Sequence, residues 1–328
     1  MVAGSNPAGG SLVILMKLRE LGEHSFIETV ISKYVNSDVN LDVYRQGDVV
    51  LKIDGFPIRH TMPFMDFYDL GWKAVVAAMS DLVSYGATPL VVLSSFGLSP
   101  EIESKNAEMM IMGISDASKY YGATYGGGDT NSSEDSGWID IAIFGNTVCN
   151  TRPKAEPGDL VYVTGEIGRT TGAFLWYSSG GKFPLPLDSV IKLKHPVVNR
   201  AILRAHRELC SVVALGTDVS DGILVSLNKI AHHVGHGIDI ATIPLVEYIQ
   251  ELVDKNIVSL NEILKSGGEE YETIFVVKKE TSSIFLDAMK RYGVIVKEIG
   301  RVIDSEPEIR LNSKKYEVHG WDNFKGWF

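Results

Sequence analysis

Aspartates that stand where the chain turns or a strand ends are the residues best suited to chemistry in this sequence. They are Asp38, Asp54, Asp81, Asp129, Asp218 and Asp221. The run Asp218-Val219-Ser220-Asp221-Gly222 places two carboxylates and a hydroxyl just before a predicted helix. One such side chain is enough to cap a helix, whereas several carboxylates together need neutralisation. With the glycine loops described next, they indicate Mg²⁺ and phosphates, the usual components of phosphoryl transfer.

Glycines precede one of these aspartates in the run Gly126-Gly127-Gly128-Asp129-Thr130. Backbone N–H groups free of side chains can approach an anion closely, although a plain turn explains the same residues. Neither a P-loop signature nor a Gly-x-Gly-x-x-Gly after a strand occurs in the sequence, so a Rossmann cofactor is disfavoured. A second loop, Ser266 to Glu272, is equally consistent with a functional site and with a simple glycine turn that carries solvated acids.

Two further features have simpler explanations than a site. Asp81 lies among apolar residues of a predicted helix, where a carboxylate needs a partner, but a capped or surface aspartate would explain it alone. The histidines His232, His233 and His236 are at the end of a predicted helix, where they suit the helix dipole better than a metal.

The elements that position these residues alternate loosely between strands and helices. The patterns predict helices over Gly22–Tyr34, Leu70–Ser84, Ser99–Tyr121 and Gly222–His233, and a hairpin of strands at Leu41–Tyr44 and Val49–Ile53. Further strands are predicted at 90–94, 138–144, 160–164, 238–240, 273–277 and 294–299. The fold class is therefore α/β or α+β.

The chain length and a stretch of proline and glycine residues predict two domains. A Pro- and Gly-rich stretch at 152–158 is the best linker, which divides the chain into 16–151 and 152–328. Residues 1–15 lack any period and are expected to be a disordered extension, with Met16 as the possible natural start.

Composition excludes several classes of protein. The net charge of −10 disfavours nucleic acid as a partner, and no apolar run approaches the ~20 residues that span a bilayer. The two cysteines, Cys149 and Cys210, imply neither a zinc site nor a disulfide framework. These features fit a cytoplasmic protein.

Seven short motifs across residues 16–328 resemble the thiamine-monophosphate kinase family of the aminoimidazole-ribotide-synthetase-like superfamily. Each is modest alone, but their shared order is specific. They are Leu21-Gly22-Glu23, Lys73 to Ala87, Gly127-Gly128-Asp129-Thr130, Ala155 to Gly165, Asp218 to Gly222, Ser266 to Glu269, and Gly320 to Phe324.

The resemblance implies a homodimer in which N-terminal strands form an intersubunit β-barrel beside a C-terminal α/β domain. It implies direct transfer of the ATP γ-phosphoryl group to thiamine monophosphate, with Mg²⁺ and no covalent enzyme intermediate. Metal ligands would be Asp38, Asp54, Asp81, Asp129, Asp218 and Asp221, with Asp129 and Asp221 catalytic. ATP contacts would be Tyr121, Gly128, Asp129, Arg152 and Ser220, and substrate contacts would be His60, Glu269 and Trp321.

Two family motifs are altered in this chain. Asn36-Ser37-Asp38-Val39 stands where the family has Gly-Asp-Asp-Ala, and Lys52-Ile53-Asp54 stands where it has Ser-Thr-Asp. The interval between Asp38 and Asp54 is close to the family's. These changes suggest fewer or differently placed metal ions, or another substrate. The alternatives are a relative that acts on a different phosphorylated metabolite and a non-catalytic nucleotide-binding homodimer.

Overall fold

The structure is a computed structural model that describes residues 16–327, without the side chain of His60. The predicted extension at 1–15 lies outside the described residues. The helices of the N-terminal half are α1 (Leu18–Leu21), α2 (Glu23–Thr29), α3 (Phe67–Tyr85) and α4 (Ser104–Tyr120). Short 3₁₀ turns cover Ile31–Lys33 and Ile58–His60. The helix predicted over Gly22–Tyr34 is thus broken, with α2 ending at Thr29.

The N-terminal strands form one open five-stranded sheet in the order β1-β2-β5-β3-β4. The neighbours are antiparallel except for the parallel pair β3–β4. The predicted hairpin is confirmed, but its first strand starts later than expected, at Tyr44. The strands are β1 (Tyr44–Gln46), β2 (Val49–Pro57), β3 (Ala87–Leu98), β4 (Thr124–Ser132) and β5 (Trp138–Thr147).

Helix α3 is the central helix of the N-terminal half, and most of its residues are buried. Asp66 and Asp69 form a capping box at its start, and Gly86 ends it. It packs so tightly on α4 that a Cβ on Gly71 would stand 2.0 Å from the Met110 carbonyl oxygen. Only glycine permits this approach, which fixes the helix beneath the sheet.

The C-terminal strands form a seven-stranded sheet in the order β12-β11-β8-β10-β6-β9-β7. A small hairpin, β13–β14, follows it. The strands are β6 (Leu160–Thr164), β7 (Val213–Asp218), β8 (Gly237–Ile240), β9 (Thr273–Val277), β10 (Val296–Ile303), β11 (Ile309–Leu311), β12 (Lys314–Lys315), β13 (Trp321–Asp322) and β14 (Gly326–Trp327).

Helices cover both faces of the seven-stranded sheet. Alternate residues of β9 face opposite cores, because side chains along a strand alternate: Phe275 packs with α3, α7 and α11, and Ile274 packs with α8. The helices are α5 (Arg169–Ser178), α6 (Leu187–Lys194), α7 (Ala201–Glu208), α8 (Ile223–Val234), α9 (Glu247–Asp254), α10 (Leu260–Lys265) and α11 (Ser282–Arg291).

Helix α3 also joins the two sheets. The Ser84 hydroxyl lies 2.7 Å from that of Thr273 on β9, and a Cβ on Gly216 of β7 would stand 2.1 Å from the Ser84 carbonyl oxygen. Residues of both sheets share one apolar core with α3. Strands β7 and β9 are therefore held against the C-terminal end of α3.

The two cysteines form a disulfide, so the prediction from the cysteine count is wrong. Cys149 follows β5 and Cys210 follows α7, 61 residues later. Cysteine spacing did not reveal the pair because tertiary packing alone brings the two segments together. Within the described part of the chain, none of the helices combines the length and apolar character needed to cross a membrane.

Candidate active site

Three carboxylates meet where α3, β7 and the segment before β1 converge. The ligand atoms of Asp42, Asp81 and Asp218 all lie within 4.8 Å of one another. Asp81 and Asp218 are almost fully buried, with 3% and 1% of their surface exposed. Oxygen ligands at this spacing fit a hard divalent cation such as Mg²⁺. We call these residues the acidic trio.

Crowding of like charges in a buried place perturbs the trio. Burial, and then the neighbouring Asp42, raises the pKa of Asp218 to about 6. Burial and Asp218 raise the pKa of Asp81 well above its ordinary value. Burial opposes ionisation of Asp42 too, but Lys229 and Lys52 outweigh it and lower the pKa of that carboxyl. The trio therefore favours an added positive charge.

Two lysines extend the trio into a chain of alternating charges. The Lys52 Nζ lies 2.7 Å from Asp81 Oδ2 and 3.3 Å from Asp54 Oδ2. On the other side, the Lys229 Nζ lies 3.1 Å from Asp42 Oδ1 and 3.9 Å from Asp221 Oδ2. The carboxylates raise the pKa of both lysines despite their burial. Both lysines are therefore permanent cations in the site.

The loop from Asp218 to Gly222 carries two of the predicted ligands. Ser80 of α3 donates a hydrogen bond to Asp218, which ties the end of β7 to that helix. Gly222 has φ +112°, and a Cβ there would stand 2.5 Å from the Gly267 carbonyl oxygen. Glycine is required at this turn, which directs Asp221 toward solvent at the start of α8.

A cleft of about 440 Å³ opens beside the trio. Its lining includes the charged side chains of Asp54, Asp221 and Lys229. It also includes three aromatic residues, which we call the aromatic wall: Phe174, Trp321 and Trp327. In the aromatic wall the ring of Trp327 lies 5.2 Å from that of Trp321 and 5.3 Å from that of Phe174. The cleft thus pairs flat apolar rings with charged groups.

Hydrogen bonds from two separate segments hold the C-terminal hairpin β13–β14. The backbone N–H of Trp321 donates to the Asp221 carbonyl oxygen at 2.9 Å. The Glu23 N–H at the start of α2 donates to Asp322 Oδ2 at 2.7 Å. The aromatic wall is therefore coupled to the loop that carries Asp221.

The two adjacent glutamates point in opposite directions. Glu269 lines the cleft and pairs with the buried Lys73 at 2.6 Å. Glu270 turns inward and accepts hydrogen bonds from the N–H groups of Gly168 and Thr170 at the start of α5, at 2.8 and 3.1 Å. Burial raises the pKa of Glu270. Of the pair, Glu269 alone faces the cleft.

Of the predicted site residues, the structure brings Asp54, Asp81, Asp218, Asp221, Ser220, Glu269 and Trp321 to this region. It places Asp38 outside the trio, where Asp38 Oδ2 lies 2.6 Å from His233 Nδ1. His233, one of the three histidines singled out in the sequence, is therefore the partner of this carboxylate.

Gly128 and Asp129 lie on the edge strand β4. Three strand spacings separate β4 from β2, which carries Asp54, a distance of roughly 14 Å. Asp129 is exposed and accepts a hydrogen bond from Asn131 Nδ2 at 2.9 Å. Within one chain, Asp129 is therefore well separated from Asp54.

Two predicted ATP contacts serve internal packing. The buried Tyr121 hydroxyl accepts a hydrogen bond from the Val198 N–H at 3.0 Å. Arg152 donates to the backbone oxygens of Tyr85 and Val213, and burial lowers the pKa of its guanidinium to about 10. The predicted substrate contact His60 has a side chain outside the described residues.

Sequence reasoning missed Asp42, Lys229, Lys73 and Trp327. Asp42 stands between Leu41 and Val43 in a segment predicted as a strand, where a single carboxylate between apolar residues was the available signal. The spacing to Asp54 led instead to Asp38, four residues earlier.

Comparisons with known proteins agree with this architecture. The family model for the AIR synthase related protein N-terminal domain matches residues 37–148, and that for the C-terminal domain matches residues 156–312. Thiamine-monophosphate kinase of Pyrococcus horikoshii is 30% identical over 92% of this chain and 94% of its own length.

Solved structures share the fold. Thiamine monophosphate kinase of Aquifex aeolicus superposes with a TM-score of 0.77 at 24% identity, covering 92% of this chain and 100% of that one. A structure of AaThiL complexed with AMPPCP and TMP gives a TM-score of 0.79 at 24% identity, covering 94% and 99%. With its two-domain mixed α/β fold, the chain belongs to the thiamine-monophosphate kinase family of AIR synthase related proteins.

Proposed function

We propose that this protein transfers the γ-phosphoryl group of ATP to thiamine monophosphate, which gives thiamine diphosphate and ADP. The observation that carries the proposal is the cleft, whose lining combines the aromatic wall with carboxylates and lysines. Thiamine monophosphate has the matching halves, a cationic thiazolium ring and a phosphate. The relative AaThiL binds AMPPCP and TMP in its crystal structure.

The aromatic wall suits the thiamine half of the substrate. A cation over an aromatic face gains about 0.5–2 kcal/mol, more when it is desolvated. Trp321 and Trp327 lie edge to face, so one ring face can receive the thiazolium while the other ring borders it. Glu269, which is paired with Lys73, also lines the cleft.

Asp42, Asp81 and Asp218 fit Mg²⁺, and we propose that they hold it, with Asp221 facing the cleft beside them. A bound Mg²⁺ would supply charge neutralisation for the phosphates. Lys229 lies between Asp42 and Asp221 and can contact a phosphate oxygen. Because phosphoryl transfer needs alignment more than covalent chemistry, these residues act by positioning the acceptor phosphate and the nucleotide in line.

We further propose a homodimer joined through the open face of the five-stranded sheet, as in the intersubunit barrel. Large apolar side chains are exposed on its strands, with 68% of Ile53, 45% of Leu93 and 38% of Phe144 accessible. A surface of this kind needs a partner. Binding of ATP by Gly128 and Asp129 then depends on how the dimer arranges β4. Sedimentation at micromolar concentration should give twice the mass of the chain.

The predicted domains, 16–151 and 152–328, and a cytoplasmic location complete the proposal. The use of ATP as a co-substrate supports a cytoplasmic location. The Cys149–Cys210 disulfide is unusual for that compartment, so thiol labelling in freshly lysed cells tests the location.

The test is incubation with ATP, Mg²⁺ and thiamine monophosphate, followed by chromatography for thiamine diphosphate. Product that depends on all three components supports the kinase. Calorimetry that shows bound ATP without any product would contradict it and favour a non-catalytic nucleotide-binding protein.

A further inference from the structure

Lys52 occupies a place that a metal ion could otherwise take. It lies on β2, and its side chain is 16% exposed. Its Nζ stands between Asp81 Oδ2 at 2.7 Å and Asp54 Oδ2 at 3.3 Å. A divalent ion that joined these two carboxylates would need the same space. The lysine and such an ion therefore exclude each other in this arrangement.

The charge balance points the same way. The chain of alternating charges around the trio consists of five carboxylates, from Asp42, Asp54, Asp81, Asp218 and Asp221, and two ammonium groups, from Lys52 and Lys229. If all are ionised, five negative and two positive charges leave a net charge of −3. One Mg²⁺ would reduce this to −1, and the phosphates of a bound nucleotide would add further negative charge. Lys52 thus supplies neutralisation at the Asp54 end, while the trio remains available to an ion.

We propose that Lys52 is a built-in cation that replaces a divalent ion between Asp54 and Asp81, so that Asp54 is a partner of the lysine and not a metal ligand. The Asp42–Asp81–Asp218 position remains for metal. This inference rests on the proposed function, because it assigns a positioning role to Lys52 within the same site. The ammonium group holds Asp81 and can face the phosphates of the nucleotide.

The number of bound ions tests the inference without any turnover. We would titrate Mn²⁺ into the intact protein with a saturating non-hydrolysable ATP analogue, and count bound ions by electron paramagnetic resonance and calorimetry. Lys52→Thr should bind one more Mn²⁺ per chain than the wild type, and Lys52→Arg should keep the wild-type count. An unchanged count in folded Lys52→Thr would overturn the inference.

Lys278 offers a matched control away from the cleft. Its Nζ also bridges two carboxylates, Glu156 at 2.6 Å and Asp159 at 3.0 Å. Lys278→Thr should leave the Mn²⁺ count unchanged. An equal gain in this variant would mean that any uncovered acid pair binds Mn²⁺, which would remove the support for Lys52.

A second variant covers the case in which Lys52→Thr fails to fold. Asp54→Asn changes a half-buried side chain with little change of shape. In the otherwise native protein it should leave the Mn²⁺ count unchanged, since Asp54 is no ligand. A lost ion in Asp54→Asn would contradict the inference. Absence of thiamine diphosphate with these counts as expected would instead sink the kinase and leave the role of Lys52 intact.

Discussion

At the scale of one residue, the buried carboxylate of Asp218 destabilises the metal-free folded protein and favours a bound cation. Its pKa in the folded protein is about 6, above the ordinary 3.8. In metal-free protein the folded state therefore retains a proton that the unfolded state has released. The contribution of this proton to the free energy of unfolding is fully present below about pH 4 and is lost as the pH rises through about 6.

The first prediction is that Asp218→Asn stabilises the metal-free protein at pH 8, since it removes a buried charge. The gain should approach about 3 kcal/mol, at about 1.4 kcal/mol for each pKa unit, and should disappear near pH 4. Denaturant unfolding in a chelator at both pH values measures it. A variant less stable than the wild type at pH 8 would show that Asp218 is stabilising even without metal.

Trp321 is the residue that tests the substrate end of the cleft. Trp321→Ala should raise the KM for thiamine monophosphate by roughly 5- to 30-fold through loss of the cation–π contact, worth about 1–2 kcal/mol. The KM for ATP should change little. Steady-state kinetics of both substrates measure the split, with Tyr177→Ala, an exposed aromatic on α5, as the control. Equal losses for both substrates would point to a general defect of the site.

At the scale of elements, α3 carries Asp81 and must be held at a fixed depth. Gly71→Ala would force its Cβ against the Met110 carbonyl oxygen of α4, at 2.0 Å. Overpacking of this kind costs about 1–3 kcal/mol, and the displaced helix should also weaken Mn²⁺ binding. Thermal unfolding and Mn²⁺ titration check both effects. Met112→Ala, an exposed change on α4, should have neither, and a silent Gly71→Ala would show that the contact is not a constraint.

Elements were predictable where local signals suffice. The hairpin around Gly47, the strand Leu160–Thr164 and the end of α3 at Gly86 follow from turn residues and periodicity. The position of Asp81 and of the loop from Asp218 to Asp221 followed for the same reason. Asp42 could not be found in this way, because only the packing of three separate elements places it against Asp81.

The lysines show a second limit of sequence reasoning. A lysine on a strand such as Lys52 is compatible with a side chain in solvent or in the site, and its partners Asp54 and Asp81 come from different elements. The same holds for Asp129, whose distance from Asp54 follows from the strand order of the sheet. Contacts between elements were beyond reach, and so was the strand β4, because its run of three glycines has no strand pattern.

The disulfide is a feature of the whole molecule, because it links the end of β5 to the end of α7. Cys210→Ser should lower the free energy of unfolding by about 2–4 kcal/mol, since closure of a long loop restricts the unfolded chain. Denaturant unfolding measures the loss, and thiol titration of the native protein serves as the control. Two titratable thiols in the protein purified without reductant would show that the bond does not form.

Assembly of the whole site from both halves of the chain is the central claim, and Asp42 tests it most directly against Asp38. The assay is formation of thiamine diphosphate from ATP, Mg²⁺ and thiamine monophosphate by folded Asp42→Asn and Asp38→Asn. We predict that Asp42→Asn loses about 100-fold or more of the rate, because Asp42 belongs to the trio, while Asp38→Asn stays near the wild type. Full activity in Asp42→Asn with activity abolished in Asp38→Asn would contradict the account.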